Sequence, residues 1–143
     1  MASFNKFNSF VEAEAEKVHN LGSDTLKVAL TNSAPVATNT VLANITQITG
    51  GGTTGYTTGG TAVTVTTSAQ TSGTYTLDGN DVVFTAGADT MGPFRYAVLY
   101  NDTPASSPVD PLIGWWDYGS SITLQDGETF TVQFGGSGIL TKA

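Results

Sequence analysis

Cysteine is absent from this chain, and histidine occurs once. Without thiols there are neither disulfides nor thiolate metal sites, and redox chemistry gives no clue to compartment. Basic charge is equally scarce: five Lys and Arg stand against 12 Asp and Glu, for a net charge of −7. The five, Lys6, Lys17, Lys27, Arg95 and Lys142, are scattered, and no basic stripe can neutralise a run of phosphates. That excludes sequence-independent nucleic-acid binding as a main role. No apolar run approaches the roughly 20 residues that span a bilayer, so no membrane partner is expected. The opening Met1–Lys6 has neither an apolar h-region nor a small-residue cleavage site, which argues against a signal peptide. What remains, at 39% hydrophobic and 12% charged over 143 residues, is the composition of one folded domain with a real core.

The chain is organised around two greasy runs, Pro93–Tyr100 and Leu112–Tyr118. Strict alternation along a strand places Phe94, Tyr96, Val98 and Tyr100 on one face, with Ala97 and Leu99 behind. In the second run it places Leu112, Trp116 and Tyr118 together, and Ile113 with Trp115 opposite. An antiparallel sheet with one wet face alternates apolar and polar, whereas this pair is apolar front and back. The hairpin is therefore expected to be central, its second face covered by a helix or by another subunit.

Helical spacing occurs once. Phe4, Phe7, Val11 and Val18 recur with the 3.6-residue period, which predicts a helix over 4–19, with Ser3 as N-cap and Gly22 as the stop after Leu21. Glu14 interrupts the apolar stripe, so it is expected near an edge or a cation. The helix either packs on its own sheet or forms an arm on a neighbouring subunit. From Ser23 the period is two: Leu26, Val28 and Leu30 form a half-buried strand. Val41–Ile48 fits an irregular or short helical segment. Residues 49–60 are a Thr/Gly loop around Tyr56; their formal G-x-G-x-x-G lacks the flanking strand and helix of a dinucleotide site. Asp78-Gly79-Asn80 predicts a hairpin turn from the Tyr75–Leu77 strand into Val82–Thr85. Three prolines between Asn101 and Pro111 predict a projecting connection. Asp126-Gly127 predicts a further hairpin turn, followed by a Phe130–Phe134 strand and a last short one at Ile139–Thr141.

Seven or eight short strands after one helix predict a mainly β fold, an antiparallel β-sandwich or a jelly-roll or barrel-like relative. The expected division is an N-terminal amphipathic helix or arm at 1–22 and a β domain at 23–143, forming a single domain overall.

Catalytic chemistry is missing from this pattern. A nucleophile needs an adjacent base, and the one imidazole, His19, falls in the predicted last turn of the helix, facing terminal carbonyls. Asp117 beside Trp115 and Trp116 is the one place to look for sugar chemistry, although a carboxylate at a strand end more often caps a turn. Asp78, Asn80 and Asp81, and separately Asp126 and Glu128, cluster in turns without the spacing of a calcium loop. No catalytic, cofactor-binding or metal-ligating residue is assigned. Two classes are left open: a structural or assembly protein, and a carbohydrate- or receptor-binding module using Trp115, Tyr118 or Tyr56.

The segments Leu26–Asn32, Thr40–Ile45, Gly92–Asn101, Leu112–Tyr118 and Asp126–Phe130 together resemble small virion structural proteins of tailed bacteriophages. The likeness spans most of the chain after Thr25 and lies in style and order rather than in a diagnostic motif. It implies a non-enzymatic particle component, above all a capsid decoration (cement) protein on the head surface. Its partners would be the major capsid protein or other virion subunits, and it would form a homo-oligomer, expected as a trimer. A tail- or fibre-associated component is the nearest competitor. Aromatic and apolar residues favour interface centres, which nominates Phe4, Phe7, Val11, Tyr56 and Trp115 as contacts.

Overall fold

The computed structural model describes residues 2–143. Its elements are β1 (Asn5–Lys6), α1 (Asn8–Ala15), β2 (Leu26–Thr31), a 3-10 turn at Leu42–Asn44, β3 (Thr61–Ala62), β4 (Val65–Thr71) and β5 (Thr74–Gly79). They continue with β6 (Val82–Thr85), β7 (Met91–Asn101), β8 (Leu112–Leu124), β9 (Thr129–Val132) and β10 (Leu140–Lys142). The fold is mainly β, with antiparallel sheets and one α-helix. The strands fall into a five-stranded sheet β1-β8-β7-β2-β3, a three-stranded sheet β10-β5-β4 and the pair β6-β9. Residues from all three meet in one core that includes Leu26, Val28, Leu77, Phe84, Leu99 and Trp116.

The β7–β8 hairpin is central, as its sequence requires, and its two faces are both closed by this chain. Leu99 and Ile113 are fully buried in the main core. On the reverse, Val98, Tyr100 and Leu112 pack with Ala29, Phe7, Leu42 of the 3-10 turn and Ile45 just after it, against partly buried Trp115. Asn44 holds that segment in place, its Oδ1 accepting the Thr40 and Val41 backbone N–H groups at 3.0 and 3.2 Å.

Strict alternation misassigns the faces here. Leu99 pairs with Gly114 but Tyr100 with Leu112, leaving Ile113 as an extra residue in β8. A one-residue bulge flips every side chain beyond it. Trp116 therefore lies with Ile113 in the main core, and Trp115 with Leu112 on the reverse. A second irregularity, between the pairs Phe94–Ile122 and Tyr96–Asp117, moves Phe94 into the core with Ala97 and Leu99.

The N-terminal segment departs furthest from expectation. Helix α1 covers only Asn8–Ala15, and the residues before it form β1 on the edge of β8. Phe4 and Phe7 are three apart, a spacing that is same-face in a helix but opposite-face in extended chain. They straddle β8: Phe4 meets Trp116 edge-on at 5.4 Å, and Phe7 meets Trp115 at 4.6 Å. The Phe4 ring occupies the space over Gly114, where an added Cβ would come within 2.3 Å of it. Nor does Ser3 cap the helix. Phe7 holds the N-cap position, and the Asn8 N–H donates to the Ala37 carbonyl at 2.9 Å. At the other end Lys17, not Gly22, takes the left-handed conformation, with φ 66°. Val18 N–H reaches Ala13 O and Lys17 N–H reaches Glu14 O, the two bonds of a Schellman stop. Phe7, Phe10 and Leu21 of this stretch are buried in clusters with residues of the β strands.

Two further expectations change. Strands β5 and β6 do not pair: β5 lies between β4 and β10, and β6 pairs with β9. The tight hairpin is β4–β5, turned by Ser72 and Gly73, both at positive φ, the geometry of a two-residue primed turn. The Thr/Gly loop is stitched down. The Tyr56 hydroxyl accepts the Leu30 N–H at 3.1 Å and donates to Gln47 Oε1 at 2.7 Å, and the Tyr100 hydroxyl donates to the Gly59 carbonyl at 2.5 Å.

Candidate functional site

Of the five nominated contact residues, two are removed by burial. Phe7 is 0% exposed and Tyr56 2%, so neither can meet a partner in this fold. Tyr56 supports the loop from inside, and Phe7 covers the hairpin. Trp115 is partly buried under Phe7. Phe4 and Val11 remain. Val11 is 53% exposed, and both line an open groove of about 660 Å³ between α1 and the Ser137–Lys142 segment. Phe10, Ala15, Ile139 and Leu140 supply more apolar wall. Glu14 sits at its margin, ion-paired with Lys142 at 2.9 Å, the cation that its break in the apolar stripe called for. β10 has β5 on one side only and is an edge of its sheet. The sequence held the Phe4 and Val11 half of this groove. Ile139 and Leu140 were invisible as contacts, because nothing local tells a C-terminal strand that it will lie beside the N-terminal helix.

The other sequence candidates resolve into structural roles. Asp117 accepts Arg95 Nε at 2.8 Å and Nη2 at 3.0 Å, and its Oδ1 also takes the Gly119 N–H at 2.8 Å. The turn cap is as read, while the guanidinium partner was missed. The Arg95 hydrogen bonds hold the Asp117 carboxyl below the usual carboxylate range. Asp78 accepts the Gly79 N–H, Asp81 the Phe134 N–H and Glu128 the Gln125 N–H. Among the described residues no group of three His, Cys, Asp or Glu could hold a metal ion, and no helix is long and apolar enough to cross a membrane.

His19 lies beyond the helix, 7% exposed, with its ring 5.2 Å from Phe10. Asn101 Oδ1 accepts the Thr103 N–H, so its Nδ2 donates, to Asp24 Oδ2 at 2.6 Å and to His19 Nδ1 at 3.1 Å. The imidazole is then neutral with its proton on Nε2, which is buried without a partner. Burial lowers its pKa below 6.5, against smaller opposing pulls from Asp24 and Glu14. A depressed histidine binds its proton more readily in the unfolded chain. Stability is therefore full above about pH 6.5 and declines below it, with a slope no steeper than ~1.4 kcal/mol per pH unit. On the alkaline side burial pushes the Tyr56 phenol up to about 12 and raises Tyr100 as well. Stability should fall again as pH rises past about 10, where unfolded tyrosines ionise first. Urea midpoints across this range check both arms, and His19→Gln should flatten the decline between pH 6.5 and the carboxylate region.

Scans against protein-family models, curated proteins and solved structures each give no match for this chain.

Proposed function

We propose that this chain is a non-enzymatic structural subunit of a tailed-bacteriophage virion, a decoration or cement protein that docks on the assembled head. The observation that carries the reading is the groove. Phe4, Phe10, Val11 and Leu140 line an open apolar surface beside an edge strand, with the Lys142–Glu14 ion pair at its margin. Apolar surface rimmed by charge beside a free strand edge suits a protein contact. The resemblance to small virion proteins supplies the partner, the major capsid protein or a neighbouring virion subunit. The doubly apolar hairpin no longer argues for a homo-oligomer, because the chain covers both faces itself.

A subunit that binds only the assembled shell shifts the balance against disassembly by mass action. Heads stripped of this protein should break at lower temperature and under milder osmotic shock than decorated heads. Val11→Asp should abolish re-binding to stripped heads while shifting the isolated protein's stability by no more than ~0.5 kcal/mol, as at other exposed sites. Equal robustness of stripped and decorated heads would remove the role.

A further inference from the structure

We infer that the cleft beside the Arg95–Asp117 pair binds a neutral pyranose sugar. The cleft holds about 420 Å³, within the ~300–1,000 Å³ usual for small-molecule sites. Aromatic side chains and a paired-polar wall face one cavity, which Ala2, Ala97, Thr131 and Val132 also line.

The aromatic wall is Tyr118, 55% exposed. It is not a loose side chain. Tyr118 stands edge-on to Phe130 at 5.4 Å and 88°, and Phe130 stands edge-on to buried Phe94 at 5.0 Å and 70°. A large aromatic fixed in place with open surface is a platform for the flat C–H face of a sugar ring, an apolar surface bounded by hydroxyls.

The polar wall is the ion pair. Nε and Nη2 of Arg95 engage Asp117, and the guanidinium lies 5.4 Å from the Tyr96 ring centroid. Both side chains are 38% exposed, so bonding capacity is left over. Arg95 keeps N–H groups on Nη1 and Nη2, and Asp117 keeps lone pairs on Oδ2. Charged donors and acceptors side by side match vicinal hydroxyls, each of which donates to the carboxylate and accepts from the guanidinium. Gln133 adds an amide with both capacities at the cleft wall. The charges of the pair cancel within a chain of net charge −7, which selects against phosphates and uronates.

The pair fixes the orientation of both side chains at the cleft through its two parallel N–H···O bonds. Its placement comes from the irregularity between Tyr96–Asp117 and Phe94–Ile122, the kind of bulge that re-aims side chains beside binding sites. The inference stands on these contacts and does not depend on the decoration role.

The test is titration with methyl glycosides of glucose, galactose, mannose and N-acetylglucosamine, with galacturonate and glucose 6-phosphate as anionic arms. Trp116, which lines the cleft, is one reporter and calorimetry is the second. At least one neutral glycoside should bind saturably, with Kd of the order of 1 mM. Tyr118→Ala and Asp117→Asn should each weaken it about tenfold or more (~1.4 kcal/mol) with the melting temperature little changed. No saturable binding by either readout, tighter binding of the anionic arms, or affinity indifferent to Tyr118→Ala would each overturn the inference.

Discussion

Phe7→Ala should destabilise the isolated protein by about 3–5 kcal/mol, the range for emptying a buried phenylalanine site. The ring is fully buried, packs on Trp115 at 4.6 Å, and helps close the reverse face of the central sheet. Its neighbours Val98, Tyr100 and Leu112 lie in strands β7 and β8, which limits how far the site can collapse. At roughly 2–4 °C per kcal/mol for a chain of this size, the melting temperature should fall by about 6–20 °C. Trp115 emission should shift to the red as its cover is lost. Val11→Ala is the control. At 53% exposure it should stay within ~0.5 kcal/mol of the parent. Were the N-terminal segment an arm meant for a neighbouring subunit, both substitutions would leave the lone chain equally stable.

The second large effect is expected inside the Thr/Gly loop. Gly60 has φ +82°, and a Cβ added there would lie 1.8 Å from the Val28 carbonyl oxygen and 2.9 Å from Ala29 Cα. The obstacle is backbone of a central strand, so no rotamer change relieves it. Gly60→Ala should cost more than ~4 kcal/mol, the range reserved for strained or sterically blocked positions. Gly136 has open space and no left-handed φ. Gly136→Ala should therefore be neutral or stabilise by up to about 1 kcal/mol through the unfolded chain. Chemical denaturation of the two variants separates a fitted loop from a slack one.

That contrast shows where sequence reading stopped. The composition of residues 49–60 is that of a flexible linker, yet the loop is held by two tyrosine hydroxyls and the Gln47 side chain. Sequence alone nominates Tyr56 as a contact because its partners, Leu30 and Gln47, are reached through space rather than along a period. Local signals did well where the structure is local: the β2 strand, the irregular 41–48 segment, the central hairpin and the final strand all fall close to where patterning put them. They failed at bulges and caps. One extra residue in β8 exchanged the faces of Trp115 and Trp116, and a lysine rather than a glycine stopped α1. The Phe4/Phe7 spacing was real but served a strand edge, which only the pairing of β1 with β8 reveals. The groove and the Arg95–Asp117 cleft each join residues more than 20 positions apart, beyond any windowed pattern.

Whether the central sheet is closed by its own chain is best asked of the monomer. Diluted until sedimentation shows a single-chain species, the protein should still unfold in urea in one cooperative transition, with Trp115 leaving its covered site at the same midpoint as the backbone signal. A dilute monomer that unfolds without cooperativity, or that shows water-exposed tryptophan before any denaturant is added, would mean that another subunit supplies the missing cover.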